Sequence, residues 1–196
     1  MKIIALLVIL FQISAYAKIT PEGNPHITQI NAKLREITNM KVEFRNEVDG
    51  TMEKGVIFYK KDQGLFMKYH TMPVTILVTK SVVTYYDSKL EQKSHIPTQK
   101  SAARIFTSLL EINNNTFDIQ KIETLPEAIV VRATIKNLED EGVFAMYFSK
   151  NDYMLRRVDI SSPESHDTNR IDLYSYSFPN ISNERFKSIN IEKNLK

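Results

Sequence analysis

The chain has no cysteine, no tryptophan and only five glycines among its 196 residues. Without cysteine there is no disulfide, no thiolate metal site and no lipid-modified amino terminus of the bacterial lipoprotein kind, so the fold must be held by its core alone. So few glycines leave no phosphate-cradling loop, and no G-x-S-x-G nucleophile elbow occurs. Neither sign of charge dominates. The 26 basic and 23 acidic side chains give a formal net charge of +3, and their spread along the chain gives no electrostatic pointer to nucleic acid or anionic lipid. The two basic pairs, Lys60-Lys61 and Arg156-Arg157, read as a solvated turn and a strand end. His26, His70, His95 and His166 stand far apart without metal-ligand spacing, and Glu139-Asp140-Glu141 reads as a solvated turn. No catalytic constellation, metal set or cofactor motif emerges, so an enzyme is not expected.

Long apolar runs are also missing. Ile3–Phe11, behind the basic Met1-Lys2 and ahead of Ala15-Tyr16-Ala17, is about nine residues long, too short to span a bilayer and suited to a secretory signal with an A-x-A cleavage site. Residues 1–17 are therefore expected to be removed, leaving residues 18–196 as one exported, soluble domain.

What the sequence does have is a run of β-branched and aromatic segments from Gly55 to Gln92. Interruptions at Lys60–Gly64, Met72-Pro73, Thr79–Ser81 and Asp87–Lys89 divide it into four short strands of an antiparallel meander. Leu65, Met67 and Tyr69 fall on one face of their strand and Phe66 on the other, so both faces are apolar. A helix, a second sheet or a bound apolar ligand has to cover the second face. Before this stretch, Ile27, Ile30, Leu34 and Ile37 recur at helical spacing, which predicts a helix over Pro25–Met40 capped by Asn24. From Lys41 the period changes to two, and Asp49-Gly50 marks a hairpin turn. After Pro97, Ala102, Ile105, Phe106, Leu109 and Leu110 crowd one face of a helix over Ser101–Leu110, a lid for a curved sheet or an ordinary core helix. Five further strands follow, over Phe117–Ile122, Ala128–Ile135, Val143–Ser149, Tyr153–Ser161 and Thr168–Phe178. About ten strands with two helices, and a sheet too apolar to be half wet, imply a strongly curved sheet or half-closed barrel with helices across its opening.

The central stretch resembles the periplasmic carriers of outer-membrane lipoproteins, the LolA family. Lys61, Leu65-Phe66, Ile76-Leu77-Val78-Thr79, Val83-Thr84-Tyr85-Tyr86, Asp87 and Leu90-Glu91-Gln92 follow, in order and nearly in spacing, that family's basic-Pro turn, Leu/Phe strand, "ILVSDG" strand, "LWFY" strand and "D-x-x-LEQ" turn. The departures are Lys61-Asp62 or, without a gap, Asp62-Gln63 for Arg-Pro, Lys80-Ser81 for Asp-Gly, and the absence of tryptophan. Asn180–Phe186 weakly matches the family's closing element. The resemblance implies a mainly β fold with helices (α+β), a curved antiparallel sheet forming an incomplete β-barrel with an α-helical lid over an apolar cavity. It implies a periplasmic carrier in a Gram-negative bacterium that binds the acyl chains of lipoproteins released from the inner membrane and delivers them to an outer-membrane acceptor lipoprotein. The partners so implied are acylated lipoproteins, an inner-membrane ABC-type release complex and that acceptor, with the carrier a monomer and no nucleic acid bound. Lys61 would take the place of the family's lid latch, without the planar fork of an arginine. Candidate cavity residues are Phe58, Phe66, Ile76, Val78, Tyr85, Ile105, Leu109, Phe144, Met146 and Phe148, unless they are plain core; the inward face is not fixed by the sequence. A binding protein for free lipid or another hydrophobic ligand stays open, as does an envelope-stress sensor of the same fold, from which a second domain would be expected.

Overall fold

The computed structural model describes residues 23–48, 50–100, 112–138, 142–161, 168–187 and 189. The signal segment and the expected helix over Ser101–Leu110 lie outside them. Helix α1, Pro25–Glu36, starts where Asn24 accepts backbone N–H bonds from His26 and Ile27 at 3.0 and 3.3 Å. It stops four residues short of the expected end, because Ile37 turns extended and Asn39 already opens β1, Asn39–Val48. The strand pattern from Val42 onward wins over the helix propensity of Met40.

Five more strands continue the meander: β2 Thr51–Lys60, β3 Gly64–Tyr69, β4 Val74–Val78, β5 Val82–Asp87 and β6 Gln92–Pro97. β6 is the strand the sequence pattern did not mark. All six of its residues are exposed, so it carries no apolar alternation, and a polar edge of this kind resists edge-to-edge pairing. The remaining strands are β7 Phe117–Thr124, β8 Ala128–Ile135, β9 Val143–Ser149, β10 Leu155–Ser161 and β11 Thr168–Ser177. Together they form an eleven-stranded antiparallel sheet in the order β6-β5-β4-β3-β2-β1-β11-β10-β9-β8-β7. Two meanders, one from each half of the chain, are thus joined by the β1–β11 pair, and the curved sheet stays open as an incomplete barrel.

Period two sorts the side chains. The inner face, under α1, carries Val42 and Phe44 of β1, Ile57 and Tyr59 of β2, Leu65 and Met67 of β3, and their equivalents across to Ile129, Val131, Phe144 and Phe148, one continuous buried cluster with Ile27, Ile30 and Leu34. Gly55 belongs to this face. A Cβ there would lie 2.5 Å from the Phe44 ring and 2.4 Å from the Lys68 carbonyl. Phe44 and Tyr69 flank it on the neighbouring strands, and their rings meet edge to face at 5.1 Å. The glycine is the space into which the aromatic pair packs.

The outer face has two halves. Over β2–β5, Phe66, Leu77 and Tyr86 are buried beneath Ile181, Phe186 and Ile189, with Phe58 packed alongside. These come from the segment after β11, which contains a short helix, α2, Glu184–Lys187. The cover for the second apolar face is therefore a carboxy-terminal strap. Its Arg185 lies 4.0 Å over the Phe58 ring, and the Lys60 ammonium donates to the Ile181 carbonyl at 2.6 Å. From β1 through β11 to β7 the outer face is instead laced by ion pairs within and across strands, Arg45–Asp172, Arg157–Asp159–Arg170 and Arg132–Glu123–Lys121.

Candidate hydrophobic ligand site

An apolar pocket opens on the inner face where α1 runs into β1. Leu34 of α1 and Ile37 just past its end form one wall, Met40, Val42, Ile57, Tyr59 and Leu65 the floor on β1–β3, and Met154 just ahead of β10, Leu155 on β10 and Leu173 and Tyr176 on β11 the side. All these strand residues belong to one end of the sheet. Its enclosed volume is about 50 Å³, room for a handful of waters at roughly 10–15 Å³ each.

Two neighbouring β-bulges shape the side wall. On β11, register shifts against β1 between Lys41 and Glu43, and Ser175 takes a left-handed φ of 53°. On β10, Arg156 is the extra residue against β9. Bulges bend a strand and re-aim its side chains. Here they bring Tyr176 into the pocket, its hydroxyl donating to the Leu155 carbonyl, with the Arg156 guanidinium 5.2 Å over its ring. Arg156 is held in turn by Asp152 at 2.5 Å.

The lining side chains are apolar except for the hydroxyls of Tyr59 and Tyr176. Burial pushes the Tyr59 phenol up to about 12, with Asp62 adding to the rise. Burial likewise raises Tyr176, against the pull of Arg156. Both phenols are neutral at any physiological pH, so the pocket offers no charge. Its chemistry is the accommodation of an apolar body.

The sequence-derived candidates separate into groups. Val78, Phe144, Met146 and Phe148 are buried in the inner cluster, and Ile76 and Tyr85 pack against it. None of them lines this pocket. Phe58 and Phe66 are on the outer face, under the strap, because each alternates with an inward neighbour, Tyr59 and Leu65. Ile105 and Leu109 lie outside the described residues. Lys61 is exposed at the rim, in the turn between β2 and β3, and its backbone N–H donates to the Thr38 carbonyl at 2.8 Å. That bond ties the turn to the α1–β1 junction. The lining residues Leu34, Ile37 and Val42 had a signal in the sequence, as apolar positions of the helix stripe and of the first alternating strand. Tyr176 had none, since its inward aim depends on a bulge. Among the described residues no three His, Asp or Glu side chains gather as a metal site, and no helix is long and apolar enough to cross a membrane.

No family model matches the chain. An uncharacterized protein of Rickettsia prowazekii is 28% identical over 163 residues, 81% of this chain and 74% of that one. Among solved structures, an uncharacterized conserved protein of Thermus thermophilus matches with a TM-score of 0.55 at 9% identity, over 83% of this chain and 93% of its own. A Vibrio parahaemolyticus domain named for outer membrane lipoprotein sorting matches at 0.51 with 8% identity, over 85% and 97%. The Pseudomonas aeruginosa MucB structure in complex with MucA matches at 0.50 with 9% identity, over 83% of this chain but only 59% of that one. With its open antiparallel sheet, its helix across the inner face and these likenesses, the chain has the fold of the LolA-like lipoprotein-sorting domains, the group its central motifs resemble.

Proposed function

We propose that this protein is a periplasmic carrier that shields the acyl chains of lipoproteins released from the inner membrane and passes them to an outer-membrane acceptor. The observation that carries the reading is the uncharged apolar pocket between α1 and the inner face of the sheet, open at one end. Its small enclosed volume is consistent with the empty state of such a device. Three acyl chains of roughly 45 methylenes in all would gain on the order of 35 kcal/mol on full burial at about 0.8 kcal/mol each. Non-covalent affinity saturates near about 20 kcal/mol, and a carrier must also let go. A pocket that is nearly collapsed when empty and must be forced open sets an opening cost against that gain, which keeps release feasible.

The wall facing the sheet is α1, and the Lys61 backbone bonds at its junction with β1. We assign Lys61 the latch role, shared between its side chain and its backbone bond to Thr38. Lys61→Ala is expected to speed release of a bound chain severalfold in stopped-flow measurements. Unchanged release removes the assignment and leaves the carrier reading intact.

The reading itself is tested with residues 18–196 added to spheroplasts of the source organism, the released material being analysed by native mass spectrometry. A soluble one-to-one complex with acylated lipoprotein is the expected result. Free lipid bound without lipoprotein would replace it by a lipid-binding protein. A protein that captures neither, yet binds a stress-signalling partner in the manner its MucB likeness allows, would be a sensor.

A further inference from the structure

The cations that are scattered in the sequence are gathered by strand register. Lys41 on β1, Lys54 and Lys60 on β2, Lys68 on β3 and Lys93 on β6 all occupy outward positions, and Arg185 joins them on the strap. No acidic residue takes an outward position of β2–β6; Glu43 and Glu47 stand on β1, where the face passes into its ion-paired half. There each arginine meets a carboxylate. On the β2–β6 half Lys60 is spent on a carbonyl and Arg185 and Lys93 lie over the Phe58 and Tyr86 rings, while on the strap Lys187 pairs with Glu184. The same region exposes large apolar side chains. Met52, outward on β2, is 44% exposed, and Phe178 is 58% exposed between Ser177, which pairs with Lys41, and Ile181, whose carbonyl holds Lys60.

Cations that outnumber the acids around protruding apolar side chains, here with only Glu43, Glu47 and the strap's Glu184 among the described residues, are the chemistry of a surface that settles on phosphate headgroups and dips a few side chains among them. We propose that the outer face of β2–β6, with the strap, docks on an anionic phospholipid bilayer. The pocket opens on the opposite face of the sheet, so a docked molecule keeps its mouth free. The proposal rests on the register of the outer face and not on what the pocket binds.

The test uses residues 18–196 and vesicles of phosphatidylcholine with and without phosphatidylglycerol, in co-sedimentation at low and high salt. Binding is expected only with phosphatidylglycerol and only at low salt, because screening at high salt shortens the reach of each lysine. The variant Lys54→Glu/Lys93→Glu changes two exposed side chains. At about fivefold in partitioning per lysine, it should bind at least tenfold more weakly. Lys33→Glu/Lys121→Glu, with the same change in net charge on α1 and β7, should bind as the wild type does. If the Glu pair lowers the melting temperature, Lys54→Gln/Lys93→Gln carries the same comparison. No dependence on phosphatidylglycerol, or an equal loss in both pairs, overturns the proposal. Binding to polyglutamate but not to vesicles also overturns it and assigns the face to an acidic protein. A titration of fatty acid into the same variants separates this outcome from any failure of the carrier reading, since none of the four positions lines the pocket.

Discussion

At the scale of single residues, the pocket is neutral because its two phenols cannot ionise where they sit. Tyr59 has little water to stabilise a phenolate and Asp62 nearby opposes a second negative charge, which is why its pKa stands at about 12. In the unfolded chain a tyrosine titrates near about 10. The folded state therefore holds the proton more tightly, and the stability this gives is complete below about pH 10 and is lost as pH rises from there toward about 12. Alkaline titration followed by tyrosinate absorbance and circular dichroism should show unfolding setting in within that window. Tyr59→Phe, which removes the linkage and keeps the ring, should move the onset upward. An unchanged onset would mean that Tyr176, raised by burial as well, controls the transition alone.

At the scale of elements, the legible part of the fold was the part with strict period. The cap at Asn24, the hairpin at Gly50, and the strands from β2 to β5 and from β7 to β11 follow from alternation and turn residues. β6 was not legible because every side chain on it faces water, and the strap was not because four buried or stacked residues in an irregular segment have no period to detect. The strap nonetheless settles why the central strands are apolar on both faces. It also explains why Phe58 and Phe66 looked like cavity residues: burial was evident from their neighbours, but not which element supplied it. Phe186, only 5% exposed on a short helix, is its anchor. Truncation of a buried phenylalanine costs roughly 3–5 kcal/mol in a core, and the surface position of the strap places Phe186→Ala at the low end, about 3 kcal/mol. Urea unfolding gives the total. Hydrogen exchange should locate the loss in β2–β5, with β7–β10 protected as before. A uniform loss across the sheet would show that the strap braces the whole molecule.

At the scale of the whole molecule, one sheet serves two environments, an inner face closed by α1 and an outer face closed by the strap on one half and by ion pairs on the other. The strap covers the floor strands β2 and β3 from outside, so the opening to test first is a movement of α1. What holds α1 is visible at Asn31. Its side-chain amide donates to the Ile112 carbonyl at 2.9 Å and its carbonyl accepts from the Ile112 N–H at 2.8 Å, tying the helix to the chain just ahead of β7. Ile112 is 1% exposed, so its backbone groups have no water to turn to. Asn31→Ala should cost about 2 kcal/mol in unfolding free energy, since an unsatisfied buried group costs roughly 1–3 kcal/mol. Chain binding should respond in the opposite direction. If the empty protein is mostly closed, the apparent affinity is reduced by the small open fraction, and loosening the helix raises that fraction. A fluorescent fatty acid should therefore bind the Asn31→Ala variant faster and severalfold more tightly, even though the protein is less stable. Stability and affinity falling together would mean that α1 is a fixed wall and that the pocket opens at the β9–β10 hairpin, through Met154 and the Tyr176 contact, instead.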